Sequence, residues 1–295
     1  MRPFLAVVLA TLASSLYALS TSVQALEARQ VPETQSLRSS LIVGLARRKL
    51  WLLGALAGLV AWGLQAAALA LASIALVQPA LGLGLVVLLV LGVRLLHERV
   101  GPREIGGVAA LVIAIALLGW AAPAGTAHFR PIGAWVVGVG VLVVAAAPTL
   151  LRLVGRAGGL ETSVAAGIGW AWVGLATALV DSSLADGRFL TAIAWAACVA
   201  LASWSTLVSE MTALQTWPAT RSVPIAFGLE MVLPAALAPL LTTEGPRHAV
   251  VFGLALALAA AGAAVLGANS AVTRPLYTPE PWQRRRPTSP PSSRV

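Results

Sequence analysis

The sequence predicts an all-α polytopic membrane protein of about nine transmembrane helices in two inverted-topology repeats. Three observations carry this. First, 58% of the 295 residues are hydrophobic and only 11% are charged, with a mean hydropathy of +0.87. A soluble domain carries roughly 25% charged residues, so lipid is the solvent this chain requires. Second, the apolar residues fall into stretches of about 20, the length that spans a bilayer as a helix. Third, one stretch recurs. Val77-Gln78-Pro79 leads through an apolar span to Glu98 and Gly101-Pro102-Arg103; Val223-Pro224 leads through another to Glu244 and Gly245-Pro246-Arg247. Proline and glutamate are 19 positions apart in one copy and 20 in the other, and Gln65 and Glu210 each stand 14 positions before their proline. Inverted repeats are a frequent ground plan of secondary transporters, with the solute site at the repeat interface.

Taken in order, the spans are expected at 4–25, 51–71, 74–95, 104–122, 132–153, 161–182, 189–210, 222–242 and 249–269. Residues 1–122 form the first repeat and 161–270 the second. Between them, 123–160 is a connector holding helix 132–153, and an odd connector is what turns the second half over. Segment 36–49 is too short and too charged to span; it is read as an interfacial helix on anionic headgroups or as a solvated loop helix. The tail 271–295, rich in Pro, Ser and Arg, is read as a disordered cytoplasmic tail. The first span also has the form of a signal peptide, with Arg2 before it and Val23-Gln24-Ala25 at its end. Its positive charge lies after the run, from Arg29 to Lys49, and it matches 161–182 as a repeat member, so it is read as a retained helix.

Orientation follows from charge. With the N-terminus outside, the inner segments hold 16 of the 20 Lys and Arg; only Arg2, Arg130, Arg188 and Arg247 lie outside. Cytoplasmic loops collect such residues. The expected placement is therefore a multi-pass protein of the cell membrane, N-terminus outside and C-terminus cytoplasmic. The same bias accounts for the net charge of +9 and a pI of about 11.4. In a soluble protein these values would point to nucleic acid; here the expected partners are the lipid bilayer and a small solute or cation, with no nucleic acid.

Several chemistries lack their residues. Cys198 is the single cysteine, so no intramolecular disulfide forms. Gly155-Arg156-Ala157-Gly158-Gly159 lacks the Lys and Ser/Thr of a phosphate-binding loop, which speaks against ATP-driven transport. His97, His128 and His248 are scattered without metal-ligand spacing, and no Ser-His-acid signature is present. The chain is read as no enzyme, with no cofactor.

Ionisable groups inside spans are costly and mark function. Glu230 lies about 12 Å into helix 222–242 at 1.5 Å per residue. It suits a bound cation or a coupling proton; the alternative is an ion pair with Arg221. Glu210 shares a helix face with Ser203 and Thr206, a stripe that lines a path or merely glues helices. Asp181 shares a face with Trp170, Gly174 and Thr177, and the matching stripe in the first helix is Ser14, Tyr17, Thr21 and Gln24. Asp181 reads equally as an exposed helix-end acid beside Asp186. Gln65 and Gln78 are candidate polar groups of the pathway or buried hydrogen-bond partners. Glu98 and Glu244 read as structural turn residues. Pro79, Pro224 and Pro234 kink their helices and free carbonyls for cations. Gly54 and Gly58 form a GxxxG pair that suits packing within the chain, with a homodimer face as the alternative.

The run Ala66-Ala67-Ala68-Leu69-Ala70, then Val77-Gln78-Pro79, Leu95-Leu96-His97-Glu98-Arg99 and Gly106-Gly107 resembles the EamA-type half of the drug/metabolite transporter superfamily. The nearest variant is the NIPA-like magnesium transporter branch. The resemblance spans nearly all of 1–270, more clearly in the first half. The family's half usually has five helices, and 36–49 stands where the second would be. In the second copy Glu244 is followed by Gly245-Pro246, and Gly253 stands alone for the glycine pair. The resemblance implies a secondary, non-ATP transporter of a small solute or cation, such as magnesium, working by alternating access. The runner-up is a non-transporting membrane scaffold or accessory subunit with the same fold.

Overall fold

The computed structural model describes residues 2–71, 74–121, 129–156, 158–241, 243 and 245–267. Among them all regular structure is helical: α1 (Arg2–Ala28), α2 (Ser39–Leu45), α3 (Lys49–Leu71), α4 (Ile74–Arg94), α5 (Pro102–Ala121), α6 (Pro131–Leu153), α7 (Gly159–Ala185), α8 (Phe189–Thr216), α9 (Ala219–Leu241) and α10 (Ala249–Gly267), with a 3₁₀ turn at Glu33–Gln35. A helix occupies each of the nine positions where a span is expected. Seven are long and apolar enough to cross a membrane: α1, α3, α5, α6, α7, α8 and α10. The expectation of nine spans is thus met in seven. In α4 the residues described with their side chains form the apolar stretch Ala80–Arg94. α9 carries Thr220, Arg221, Ser222, Glu230 and three prolines among its apolar residues. The tail expected to be disordered lies outside the described residues.

Sequence sets the helix ends. Pro131 opens α6 at its first position, where a missing N–H costs nothing. Gly155 and Gly187, at φ of +69° and +70°, close α6 and α7. After each, an arginine N–H reaches back to satisfy an orphan carbonyl: Arg156 to Leu151 and Arg188 to Ser183, both at 2.8 Å. This is the Schellman geometry that glycine permits.

The apolar surface faces two ways. Leu53, Leu56, Leu59 and Trp62 on α3 and Leu190 and Ile193 on α8 stand exposed, a pattern that only lipid tolerates over whole helices. Inside, α1 packs on α3 and α4, α7 packs on α8 and α9, and α5 packs on α10, while α6 lies against α7 and α8. Small residues allow the close crossings. A Cβ on Gly84 of α4 would lie 2.7 Å from the Ser14 carbonyl of α1, one on Gly167 of α7 2.6 Å from Ala226 O of α9, and one on Gly262 of α10 2.9 Å from Gly107 O of α5. Gly54 and Gly58 turn to Ser20 of α1, and Ser20 Oγ donates to Gly54 O at 2.7 Å. The GxxxG pair thus packs within the chain.

Segment 36–49 contains the short helix α2, whose Leu41, Ile42 and Leu45 are buried with Ala25, Met211 and Leu214, while Arg38, Ser39, Ser40 and Val43 stand exposed.

Candidate functional site

Four helices bring polar groups to the interior. In α9, Glu230 lies about 16 Å from the helix start at 1.5 Å per residue, deeper than its sequence position indicates because α9 begins at Ala219. Glu210 of α8 accepts a hydrogen bond from Trp170 Nε1 of α7 at 2.9 Å. The Glu230 carboxylate interacts electrostatically with Glu210 and with Tyr17 of α1. Both glutamates are half-buried. Among the described residues, Glu230 has no hydrogen-bond or ion-pair partner. Pro234 stands one turn beyond it, half-buried and inside the helix. A proline there removes the N–H that would bond the Glu230 carbonyl, so side chain and backbone of this residue both keep free oxygens.

The ion pair expected for Glu230 as an alternative does not form. Arg221 instead donates to Glu104 Oε1, from Nε at 3.0 Å and Nη2 at 2.7 Å. Two interior carboxylates that feel each other's charge, with no protein cation paired to either among the described residues, need a counter-charge, either a bound cation or a proton. Among the described residues no three His, Cys, Asp or Glu come together as a metal cage. What converges is two acids with a tyrosine and a tryptophan.

The other expected pathway residues fall elsewhere. Asp181 is exposed near the end of α7, away from the pair, as the helix-end alternative has it. Gln24 Nε2 donates to Ser20 Oγ at 2.9 Å, within the α1–α3 contact. Gln65 is half-buried on α3 and makes no hydrogen bond among the described residues. The Gln78 and Pro79 side chains, and Glu244, lie outside the described residues, although the Gln78 and Pro79 backbone is part of α4. Pro224 is buried in the first turns of α9. Of the stripe before Glu210, Ser203 is half-buried and Thr206 is buried against Gly169 of α7.

Glu98 plays a larger part than a turn residue. Buried in the turn after α4, it pairs with Arg29, the residue that follows α1. Its oxygens also accept the Ala219 and Thr220 backbone N–H groups at 2.7 and 2.8 Å. A carboxylate there caps α9 at its positive end. Glu104 joins α5 to α9 through Arg221, and Glu27 of α1 pairs at 2.8 Å with Arg48, the residue before α3. Buried carboxylates thus tie the helices together at the arginine-rich end of the bundle.

Tyr17 and Trp170 stood within the polar stripes of the sequence, but nothing set them apart from core aromatics. No protein-family model, no characterised protein and no solved structure matches this chain.

Proposed function

We propose that the chain is a secondary transporter of a small solute or cation, working by alternating access with Glu210 and Glu230 as its binding site. One observation carries this: a pair of interior carboxylates, on neighbouring helices, that lacks a counter-charge among the described residues. A cationic cargo or a coupling proton supplies it. Trp170 Nε1–H, donating to Glu210 Oε2 at 2.9 Å, holds that carboxylate in place for its counter-charge. Magnesium stays within this class, since it keeps several waters and takes only one or two carboxylates.

The inverted repeat belongs to the same reading, with α4 and α9 counted as spans to give nine. Its support is the matching order of packing. As α1 meets α3 and α4, α7 meets α8 and α9, and α5 meets α10 across the middle. The resemblance to the drug/metabolite transporter superfamily points the same way. In this picture the carboxylate bolts at the arginine-rich end are one gate, taken here as cytoplasmic from the charge bias, with the N-terminus outside.

The test is flux in proteoliposomes. Purified protein should take up magnesium, an organic amine or an amino acid down an imposed ion or proton gradient, without ATP. A panel of such solutes that shows no protein-dependent flux, while the protein remains folded, would favour a scaffold role.

A further inference from the structure

We propose that a pocket between the α2 segment, α6 and α8 binds the phosphodiester headgroup of an anionic phospholipid. The cavity measures about 640 Å³ and is lined by Arg38, Ser39 and Ser40, by Thr149 and Arg152 of α6, and by Trp204 of α8. Neither Arg38 nor Arg152 takes part in an ion pair or side-chain hydrogen bond among the described residues. Two guanidinium groups with three hydroxyls beside them form a donor set for phosphate oxygens, which arginine binds in bidentate fashion.

The walls are built rather than incidental. Leu37, just before Arg38, has φ +57°, a conformation costly for a leucine. Its N–H donates to Thr212 Oγ1 at 2.9 Å. Ser36 Oγ donates to Gln215 Oε1 at 2.8 Å, and Gln215 Nε2 donates to Val31 O at 2.7 Å. The segment that presents Arg38 is thus pinned to α8. On the opposite wall, Pro148 deprives the Val144 carbonyl of its helical donor, and the buried Ser205 Oγ of α8 supplies one at 2.7 Å. Trp204 Nε1 donates to Ser39 Oγ at 3.3 Å and closes the rim.

Lipid is the source of the phosphate that fits best. The cavity is far larger than an inorganic phosphate. Arg152 stands next to the last residue of α6, and at the ends of membrane helices basic pockets hold headgroups and tryptophan is enriched. The same helices expose Leu142, Leu150 and Leu201 by 65%, 51% and 49%; Leu142 lies away from that end, and Leu201 also lines the pocket. An acyl chain would continue along this surface from a headgroup held by the arginines.

The experiment is native mass spectrometry of the full chain released from nanodiscs of phosphatidylcholine mixed with phosphatidylglycerol. The wild type should retain phosphatidylglycerol over phosphatidylcholine by about tenfold or more. The Arg38→Gln/Arg152→Gln variant should lose this preference, and the exposed control pair Arg99→Gln/Arg156→Gln should keep it. Thr149→Trp, which fills the cavity at an exposed position and leaves both charges, should also lose it, and covers the case where the arginine variant does not fold. Equal retention by wild type and pocket variants overturns the proposal. So does equal loss in the control pair, which would reduce it to general surface charge. Displacement of the lipid by inorganic phosphate would give the pocket to a soluble anion and overturn the lipid source.

Discussion

At the scale of single residues, the two glutamates set the terms. An isolated charge deep in a bilayer costs at least about 2.5 kcal/mol on the most permissive scale, and Glu230 has no protein partner among the described residues to offset it. Glu230→Gln preserves shape and hydrogen bonding while removing the charge. It should abolish gradient-driven flux in proteoliposomes and leave membrane expression near normal. Lost expression with unchanged flux per molecule would instead make Glu230 structural. Trp170→Phe removes the donor to Glu210 Oε2. Hydrogen bonds to charged groups contribute about 1.5–3 kcal/mol, so the KM of uptake should rise roughly tenfold or more, with kcat less affected. Glu210 and Glu230 were legible in the sequence because an acid in an apolar span stands out. Tyr17 and Trp170 were not, because an aromatic in a span is ordinary core until its neighbour is known. Nor was the bond from Glu98 to the start of α9, whose partner lies 121 residues away.

At the scale of elements, prolines and glycines decide more than the apolar residues do. Nearly every helix boundary was readable to within a few residues, since apolar length and Pro or Gly punctuation are local signals. What could not be read was how α2 docks. Its seven residues give no periodic signal, and the surface covering Leu41 and Leu45 comes from α1 and α8. The α5–α10 crossing depends on Gly107 and Gly262. A larger side chain at Gly262 meets Gly107 O at 2.9 Å and Ala110 Cβ at 3.2 Å. Gly262→Leu should therefore destabilise the fold by about 1–3 kcal/mol, visible as a lower midpoint of thermal unfolding in detergent, whereas Gly253→Leu, with open space around it, should not. Within α9, Pro234→Ala returns a helical donor to the Glu230 carbonyl. If that carbonyl helps hold the cation, the variant should be more heat-stable yet bind cargo more weakly; unchanged affinity would confine the site to side chains.

At the scale of the whole molecule, the arginine-rich end is the one that ion pairs hold together, and in the proposed transport cycle it is one of the two gates. It is held by Glu98, Glu104 and Glu27 with Arg29, Arg221 and Arg48, and two of these contacts reach α9, the helix that carries Glu230. Alternating access requires that these bonds break when the opposite end closes. Glu98→Gln removes the charge that pairs with Arg29 and weakens the cap on α9, so it should shift the population towards a state open at the arginine-rich end. Cysteine accessibility can read this. In a Cys198→Ser background, Thr220→Cys places a thiol beneath the bolt, at a residue that is 1% exposed. In inside-out vesicles, a membrane-impermeant thiol reagent should modify it slowly in the parent and several-fold faster with Glu98→Gln added. Cargo that favours the outward-open state should slow it again. If the thiol is equally unreactive in both backgrounds, Glu98 is a fixed strut and the gate must be sought elsewhere. If it reacts only in right-side-out vesicles, the arginine-rich end faces outwards and the charge-based orientation falls.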